Sequence, residues 1–249
     1  MLVWITGASA GFGAAMARQF IAHGHRVLGI ARRTERLQAL QQELGDAFHP
    51  LAVDVGDAEA LQRALASLPE AWREPDVLVN NAGLARGMTP AQESSLADWE
   101  EMVQTNIIGL LRLTRAVLPG MVARNRGHII NLGSTAGNWP YFGGNVYGAT
   151  KAFVKQFSQN LRADLAGSKV RVSNIEPGLC GGTEFSQVRF HGDSGKAAQV
   201  YANVEALSAD DIAETILWIA ERPPHVNINR IEIMPVAQSF AGLSIAREP

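Results

Sequence analysis

Three side chains define the chemistry open to this chain: Ser134, Tyr147 thirteen residues later, and Lys151 four residues beyond the tyrosine. At a separation of four, two helical side chains share one face with Cβ atoms about 5–6 Å apart, so Lys151 can act on the phenol. A free phenol has a pKa near 10 and is ionised in about one molecule in a thousand at neutral pH. An ammonium about 5.5 Å away contributes roughly 3 kcal/mol at an effective dielectric of ~20, which is about two pKa units. Tyr147 is therefore expected to serve as both acid and base, with Ser134 holding a reacting carbonyl oxygen against it. A Tyr and a Lys at helical spacing also occur as an ordinary surface pair, so the reading depends on what surrounds them.

A second group of residues points to a nucleotide. Thr6-Gly7-Ala8-Ser9-Ala10-Gly11-Phe12-Gly13 follows an apolar run and opens a helical stretch. Glycines there permit a tight turn and let the backbone approach a pyrophosphate, whose charge sits at the positive helix end. A dinucleotide fold that takes NAD usually ends its second strand with a carboxylate for the ribose 2′-hydroxyl. This chain has Ala31-Arg32-Arg33 instead. Two guanidiniums suit a 2′-phosphate and predict NADP, the alternative being that they only cap the solvent end of a strand. Asp54-Val55 and Asn80-Asn81-Ala82-Gly83 end two further strands, where Asp54 could accept from an adenine amino group and small residues leave room for adenosine. Isolated pairs of these types also serve as helix caps and turns.

The elements that must position these groups follow from periodicity. Strand-length apolar runs at 2–6, 26–31, 48–53, 77–80, 128–132, 171–175 and 230–234 alternate with helical stretches at 11–22, 35–44, 58–67, 96–118, 147–166 and 209–220. The pattern predicts an α/β fold: a single Rossmann-like doubly wound domain, with a seven-stranded parallel sheet and helices on both faces. Right-handed crossovers bring every strand's C-terminal end to one edge, where such sheets hold ligands. The segment 179–203 is polar and weakly periodic, and reads as a lid or substrate loop or as a solvated insertion.

Composition excludes several functions. The chain has 249 residues and a net charge of -2, with 22 Lys+Arg against 24 Asp+Glu, so it carries no basic footprint for nucleic acid. No run approaches the ~20 apolar residues of a membrane span. No export signal is visible, and a single cysteine, Cys180, allows no intramolecular disulfide. The expectation is a cytoplasmic protein acting on a small molecule.

Taken together, Thr-Gly-x-x-x-Gly-x-Gly at 6–13, Asn-Asn-Ala-Gly at 80–83, Asn106, Ser134, Tyr-x-x-x-Lys at 147–151 and Pro177-Gly178 resemble the short-chain dehydrogenase/reductase family over essentially the whole chain. The resemblance implies a catalytic group of Asn106, Ser134, Tyr147 and Lys151, with Asn106 positioning a water on a proton relay. It also implies that Pro177-Gly178-Leu179-Cys180-Gly181-Gly182-Thr183-Glu184-Phe185 wraps a nicotinamide, with Thr183 at the carboxamide or phosphates, and that copies assemble as homotetramers. The runs 133–137, 139–141 and 143–151 bring it close to one branch, the NADP-dependent 3-hydroxy acid dehydrogenases acting on L-serine, L-allo-threonine and malonic semialdehyde. The competing readings are a 3-oxoacyl carrier-protein reductase and a catalytically idle NADP-binding sensor. Glu232-Ile233-Met234-Pro235-Val236, where the reductase branch commonly has Asp-Gly-Gly, argues against the first. The retained Ser134, Tyr147 and Lys151 argue against the second. A 3-hydroxy acid also needs a partner for its carboxylate, and Arg189, just beyond the wrapping segment, is the candidate.

Overall fold

The structure, a computed structural model, describes residues 1–240. Its strands are β1 (Leu2–Thr6), β2 (Arg26–Ala31), β3 (Phe48–Ala52), β4 (Val77–Asn80), β5 (Gly127–Leu132), β6 (Val170–Pro177) and β7 (Arg230–Ile233). They pair in parallel in the order β3-β2-β1-β4-β5-β6-β7. Side chains alternate between two apolar layers: Val3 and Ile5 of β1 enter one, Leu2 and Trp4 the other. β2 divides likewise, with Val27 and Ala31 against Leu28 and Ile30. A sheet covered on both faces must be apolar along the whole strand, which is why these segments read as continuous hydrophobic runs.

The helices are α1 (Gly11–Ala22), α2 (Thr34–Leu44), α3 (Ala58–Ala66), α4 (Leu96–Val103), α5 (Leu110–Ala123), α6 (Asn145–Asp164), α7 (Phe185–Arg189), α8 (Ser194–Gln199) and α9 (Ala209–Ala220). Met16 and Phe20 of α1, Leu37 and Leu40 of α2, and Ile212 and Ile216 of α9 fill the first layer. Leu61 of α3, Leu113, Val117 and Met121 of α5 and Leu161 of α6 fill the second. Caps fix several starts: the Asp57 carboxylate accepts from Ala60 N, and Ser208 and Asp211 form a reciprocal capping box before α9. Gly29 of β2 lies against the Phe48 ring, which occupies the space a Cβ would need.

Several expected boundaries move by one or two residues, among them β3, which stops at Ala52, β6, which runs to Pro177, and α6, which begins at Asn145. Two corrections are larger. The helix expected over 96–118 is three pieces, because Gln104–Gly109 widens into a π-helical turn between α4 and α5. Periodicity shows the apolar face but not this local change of pitch. The segment 179–203 contains the helices α7 and α8, each too short to generate a helical repeat, with Asp193 capping the second. Taken whole, Leu96–Ala123 has the length and hydropathy of a membrane span, but Leu110, Leu113, Val117 and Met121 are buried against the sheet, as in a core helix.

Candidate active site

A cleft of roughly 720 Å³ runs along the C-terminal edge of the sheet, from Arg32 and Asp54 at one end to Tyr141, Tyr147 and Arg189 at the other. Its floor begins at the turn after β1. Gly7 and Gly11 have φ of +68° and +51°, and a Cβ on Gly13 would collide with the Gly7 carbonyl, so the turn and the first coil of α1 pack backbone to backbone. Ala10 precedes α1 with no side-chain cap, and the first turn carries no acidic residue. The leading N–H groups are therefore open to an anion. Gly7, Ser9, Ala10, Gly11 and Phe12 line the cleft, whereas Ala8 and Gly13 lie behind it. This turn is fixed to β4 through Thr6: its hydroxyl accepts from Asn81 N at 2.9 Å and Ala82 N at 2.8 Å, and Asn81 Nδ2 donates to its carbonyl at 2.7 Å.

At the far end Arg32 and Arg33, directly after β2, both line the cleft, and β2 itself carries no carboxylate. Arg33 donates to Ser9 Oγ at 3.3 Å and to Glu184 at 2.8 Å, and Arg36 also reaches Glu184 at 2.8 Å. Arg32 comes only to 3.9 Å from Asp54. Asp54 accepts from Gly56 N through Oδ1, so one carboxylate oxygen serves its own turn and the other faces the arginine. Val55 is buried beneath, and its methyl takes the space a Cβ on Gly109 would fill. The residues present fit a dinucleotide carrying a 2′-phosphate: uncapped N–H groups for the pyrophosphate and exposed guanidiniums for the extra phosphate.

Ser134, Tyr147 and Lys151 line the cleft together, and Asn106 lies buried behind them. Lys151 Nζ lies 5.8 Å from the centre of the Tyr147 ring and donates to the Leu132 carbonyl at 2.7 Å. Ser134 stands at the start of a short turn, Thr135–Gly137, and its Oγ accepts from Ala136 N. Asn106 sits in the π-helical turn, almost fully buried, and both ends of its amide are used: Oδ1 accepts from Leu84 N, and Nδ2 donates to Leu84 O and Thr150 Oγ1. Thr150 in turn donates to the Tyr147 carbonyl. A Cβ on Gly83 would fall 3.3 Å from Asn106 Oδ1 and 3.4 Å from Lys151 Nζ, so the Asn-Asn-Ala-Gly turn passes between these two side chains.

Burial overturns the expected electrostatics of the pair. It pushes Tyr147 up to about 12, with a hydrogen bond from Ser134 opposing it, and pushes Lys151 down to about 8. Losing water disfavours the charged form of each group more than the spacing argument allowed. At neutral pH the phenol holds its proton and the ammonium remains charged.

Over this floor lies the wrapping segment. Pro177, Gly178, Leu179, Cys180, Thr183, Glu184 and Phe185 line the cleft, while Gly181 and Gly182 do not. Thr183 rests on the phosphate turn, 3.3 Å from where a Gly11 Cβ would be, and the Phe185 and Tyr147 rings meet at 5.7 Å. Burial raises the Cys180 thiol to about 12. Arg189 ends α7 with its guanidinium 5.5 Å from the Tyr147 ring centre and hydrogen-bonded to the Tyr141 hydroxyl. Gly87 N donates to Arg189 O at 2.9 Å, and Arg86, paired with Glu101, donates to Val188 O at 2.7 Å. Sequence reasoning missed Thr6, Arg36, Arg86, Tyr141 and Thr150. Thr6 and Thr150 lie inside recognised motifs that gave them no role of their own, whereas Arg36, Arg86 and Tyr141 meet their partners only across the fold.

The family profile described as short chain dehydrogenase matches residues 1–193. The chain is 61% identical over 247 residues to the NADP-dependent 3-hydroxy acid dehydrogenase YdfG of Salmonella typhi, covering 99% of this chain and 100% of that one. It is 52% identical to a serine 3-dehydrogenase of Agrobacterium fabrum, covering 99% and 98%. Among solved structures, the closed form of a serine dehydrogenase complexed with NADP+ superposes with a TM-score of 0.98 at 59% identity over 100% of both chains. The serine dehydrogenase from Escherichia coli gives 0.86 at 54% identity, covering 96% of this chain and 100% of that one. The glycine turn, the Tyr147–Lys151 pair and these likenesses lead to one conclusion: the chain belongs to the short-chain dehydrogenase family.

Proposed function

We propose that this chain is an NADP-dependent oxidoreductase that transfers a hydride between the cofactor and a small 3-hydroxy acid of the L-serine, L-allo-threonine or 3-hydroxypropionate/malonic semialdehyde type. The observation that carries the reading is Arg189: a cation held 5.5 Å from the Tyr147 ring centre, at the mouth of the cleft, where a substrate carboxylate would lie once its β-oxygen meets the phenol. The names of the relatives support it.

The bound cofactor supplies or accepts the hydride. In the direction of carbonyl reduction, Tyr147 donates the proton to the forming alkoxide, and burial keeps that proton in place until it is needed. Ser134 holds the carbonyl oxygen at the phenol. Lys151, anchored on Leu132 O, keeps positive charge beside the ring and stabilises the phenolate left when the proton departs. Asn106 ties Leu84 to Thr150 and so fixes the first turns of α6, on which both Tyr147 and Lys151 stand. The arginines beyond β2 hold the 2′-phosphate, and the uncapped start of α1 holds the pyrophosphate. Phe185 and Tyr141 exclude water around the reacting carbon.

The whole apparatus belongs to one catalytic domain with its substrate lid over 179–203. Copies of the chain assemble as a homotetramer in the cytoplasm. Exposed Leu96 and Val103 on α4 and Val122 on α5 support the assembly, because they offer apolar surface that another copy would cover. The single cysteine supports the location.

The test is a panel of 3-hydroxy acids, 3-hydroxy amino acids and acyl thioesters, followed by nicotinamide absorbance with NADP and NAD separately. Turnover of the short hydroxy acids with NADP is expected. Arg189→Ala should raise KM for L-serine and 3-hydroxypropionate by about 10- to 100-fold, the equivalent of one charge-assisted hydrogen bond, and leave a neutral short alcohol nearly unchanged. Equal losses on charged and neutral substrates would reduce Arg189 to a lid support. No turnover on any substrate would leave a cofactor-binding protein without this activity.

A further inference from the structure

Beneath the turn that carries Ser134 lies a carboxylate that the reaction does not touch. Glu176, next to the last residue of β6, is 1% exposed and does not line the cleft. Its Oε1 accepts from Asn174 Nδ2 at 2.7 Å, and its Oε2 accepts from Asn138 Nδ2 at 2.7 Å and from Arg230 Nε at 2.5 Å. Every partner is a donor, so the position calls for a group that only accepts. Lys155 Nζ donates to Asn138 Oδ1 at 2.8 Å, which turns the amide so that its NH2 faces the carboxylate.

Asn138 follows directly on the turn Thr135–Gly137 that Ser134 begins. The turn is wedged on both sides. A Cβ on Gly137 would come 2.7 Å from the Lys151 carbonyl carbon, so one side rests on the backbone of α6. A Cβ on Gly133 would come 2.7 Å from Asn174 Oδ1 and 3.1 Å from Glu176 Cγ, so the other side rests on the carboxylate and its neighbour. Ser134 Oγ also lies 3.4 Å from the carbonyl of Pro177, the residue after Glu176.

We propose that Glu176 is a positioning residue: acting through Asn138, it sets the turn that aims Ser134 at the substrate oxygen and at Tyr147. The catalytic serine is thereby tied to the same strand end that begins the cofactor-wrapping segment, and to α6 through Lys155. A carboxylate is required because three donors converge on its two oxygens. An amide would point an NH2 at one of them.

The inference rests on the assignment of Tyr147 as proton donor, and its test is separable from that assignment. Glu176→Gln is expected to lower kcat by about 10- to 100-fold while the NADP Kd, read by fluorescence titration, moves less than about threefold. The pH profile of alcohol oxidation should shift to the alkaline side, because a displaced Ser134 no longer draws the phenol downward. Should this buried replacement fail to fold, Asn138→Ala cuts the same link at a half-buried position and should show the same signature more weakly. A folded Asn138→Ala with wild-type kcat and an unshifted profile overturns the inference. So does a parallel loss of kcat, NADP affinity and melting temperature, the mark of a merely structural network. Tyr147→Phe retaining turnover would instead remove the underlying assignment.

Discussion

The floor of the cleft and the lid above it are held by different kinds of interaction. Thr6, Asn106 and Lys151 tie the strand ends together through buried side chains whose partners are backbone groups: Asn81 N and Ala82 N, Leu84 N and O, and Leu132 O. The lid is held by exposed pairs at its rim, besides the part-buried bonds of Arg86 to Val188 O and Gly87 N to Arg189 O. Glu184 meets Arg33 and Arg36 at 2.8 Å each with half-exposed side chains, and His191 meets Asp98 at 3.0 Å on the outside. An exposed ion pair contributes about 0–1 kcal/mol, whereas leaving a buried donor or acceptor unmatched costs about 1–3 kcal/mol. The floor therefore opens only with the fold. The rim pairs of the lid give way for little, which suits a site that must admit substrate and release product.

Substitutions on either side should separate the two regions. The largest effect belongs to the floor: Tyr147→Phe removes the proton donor and should lower turnover by about 10²- to 10⁴-fold with NADP binding and melting temperature retained. Near-normal turnover would mean that another group carries the proton. Next comes the junction of floor and lid, where the double replacement of Arg32 and Arg33 by alanine should weaken NADP by about one to three orders of magnitude and barely alter NAD, as isothermal titration of both cofactors would show. An unchanged NADP affinity would reassign Arg33 to the lid, through Glu184, and leave Arg32 a neighbour of Asp54 only. The smallest effect is expected at the rim. Glu184→Gln should speed NADP release and proteolytic cleavage of 183–199 about two- to fivefold, with no change in melting temperature. A lower melting temperature would show that the lid is part of the cooperative fold and erase the distinction between the two regions.

The floor was more legible in the sequence than the lid, for a physical reason. Its motifs are local: Gly7 to Gly13 lie within one turn, and Tyr147 and Lys151 within one helical coil, so spacing alone states their geometry. The strands were visible because a sheet buried on both faces is built from apolar runs, unbroken in β1 and in most of β2 and β4, and only partly interrupted by polar residues in β5, β6 and β7. What spacing could not show was burial. The Tyr147 phenol was expected to fall below its ordinary value and instead rises, because the sequence gives no measure of lost water. The π-helical turn at 104–109 stayed hidden because one widened coil between two regular helices is too short to alter the periodicity of the whole segment. The lid was hidden most. Helices of five and six residues make too little pattern to read, and their anchors, Arg86, Arg36 and Tyr141, are set by contacts between distant parts of the chain.

Cys180 has a consequence outside catalysis. It is the chain's single thiol, it sits half-buried in the cofactor-wrapping segment, and burial raises it to about 12. At pH 7 only about one molecule in 100,000 then carries a thiolate, the form that oxidants and alkylating agents attack. The thiol of this cleft-lining segment is thus chemically quiet. Peroxide or disulfide stress should therefore leave this thiol largely unmodified.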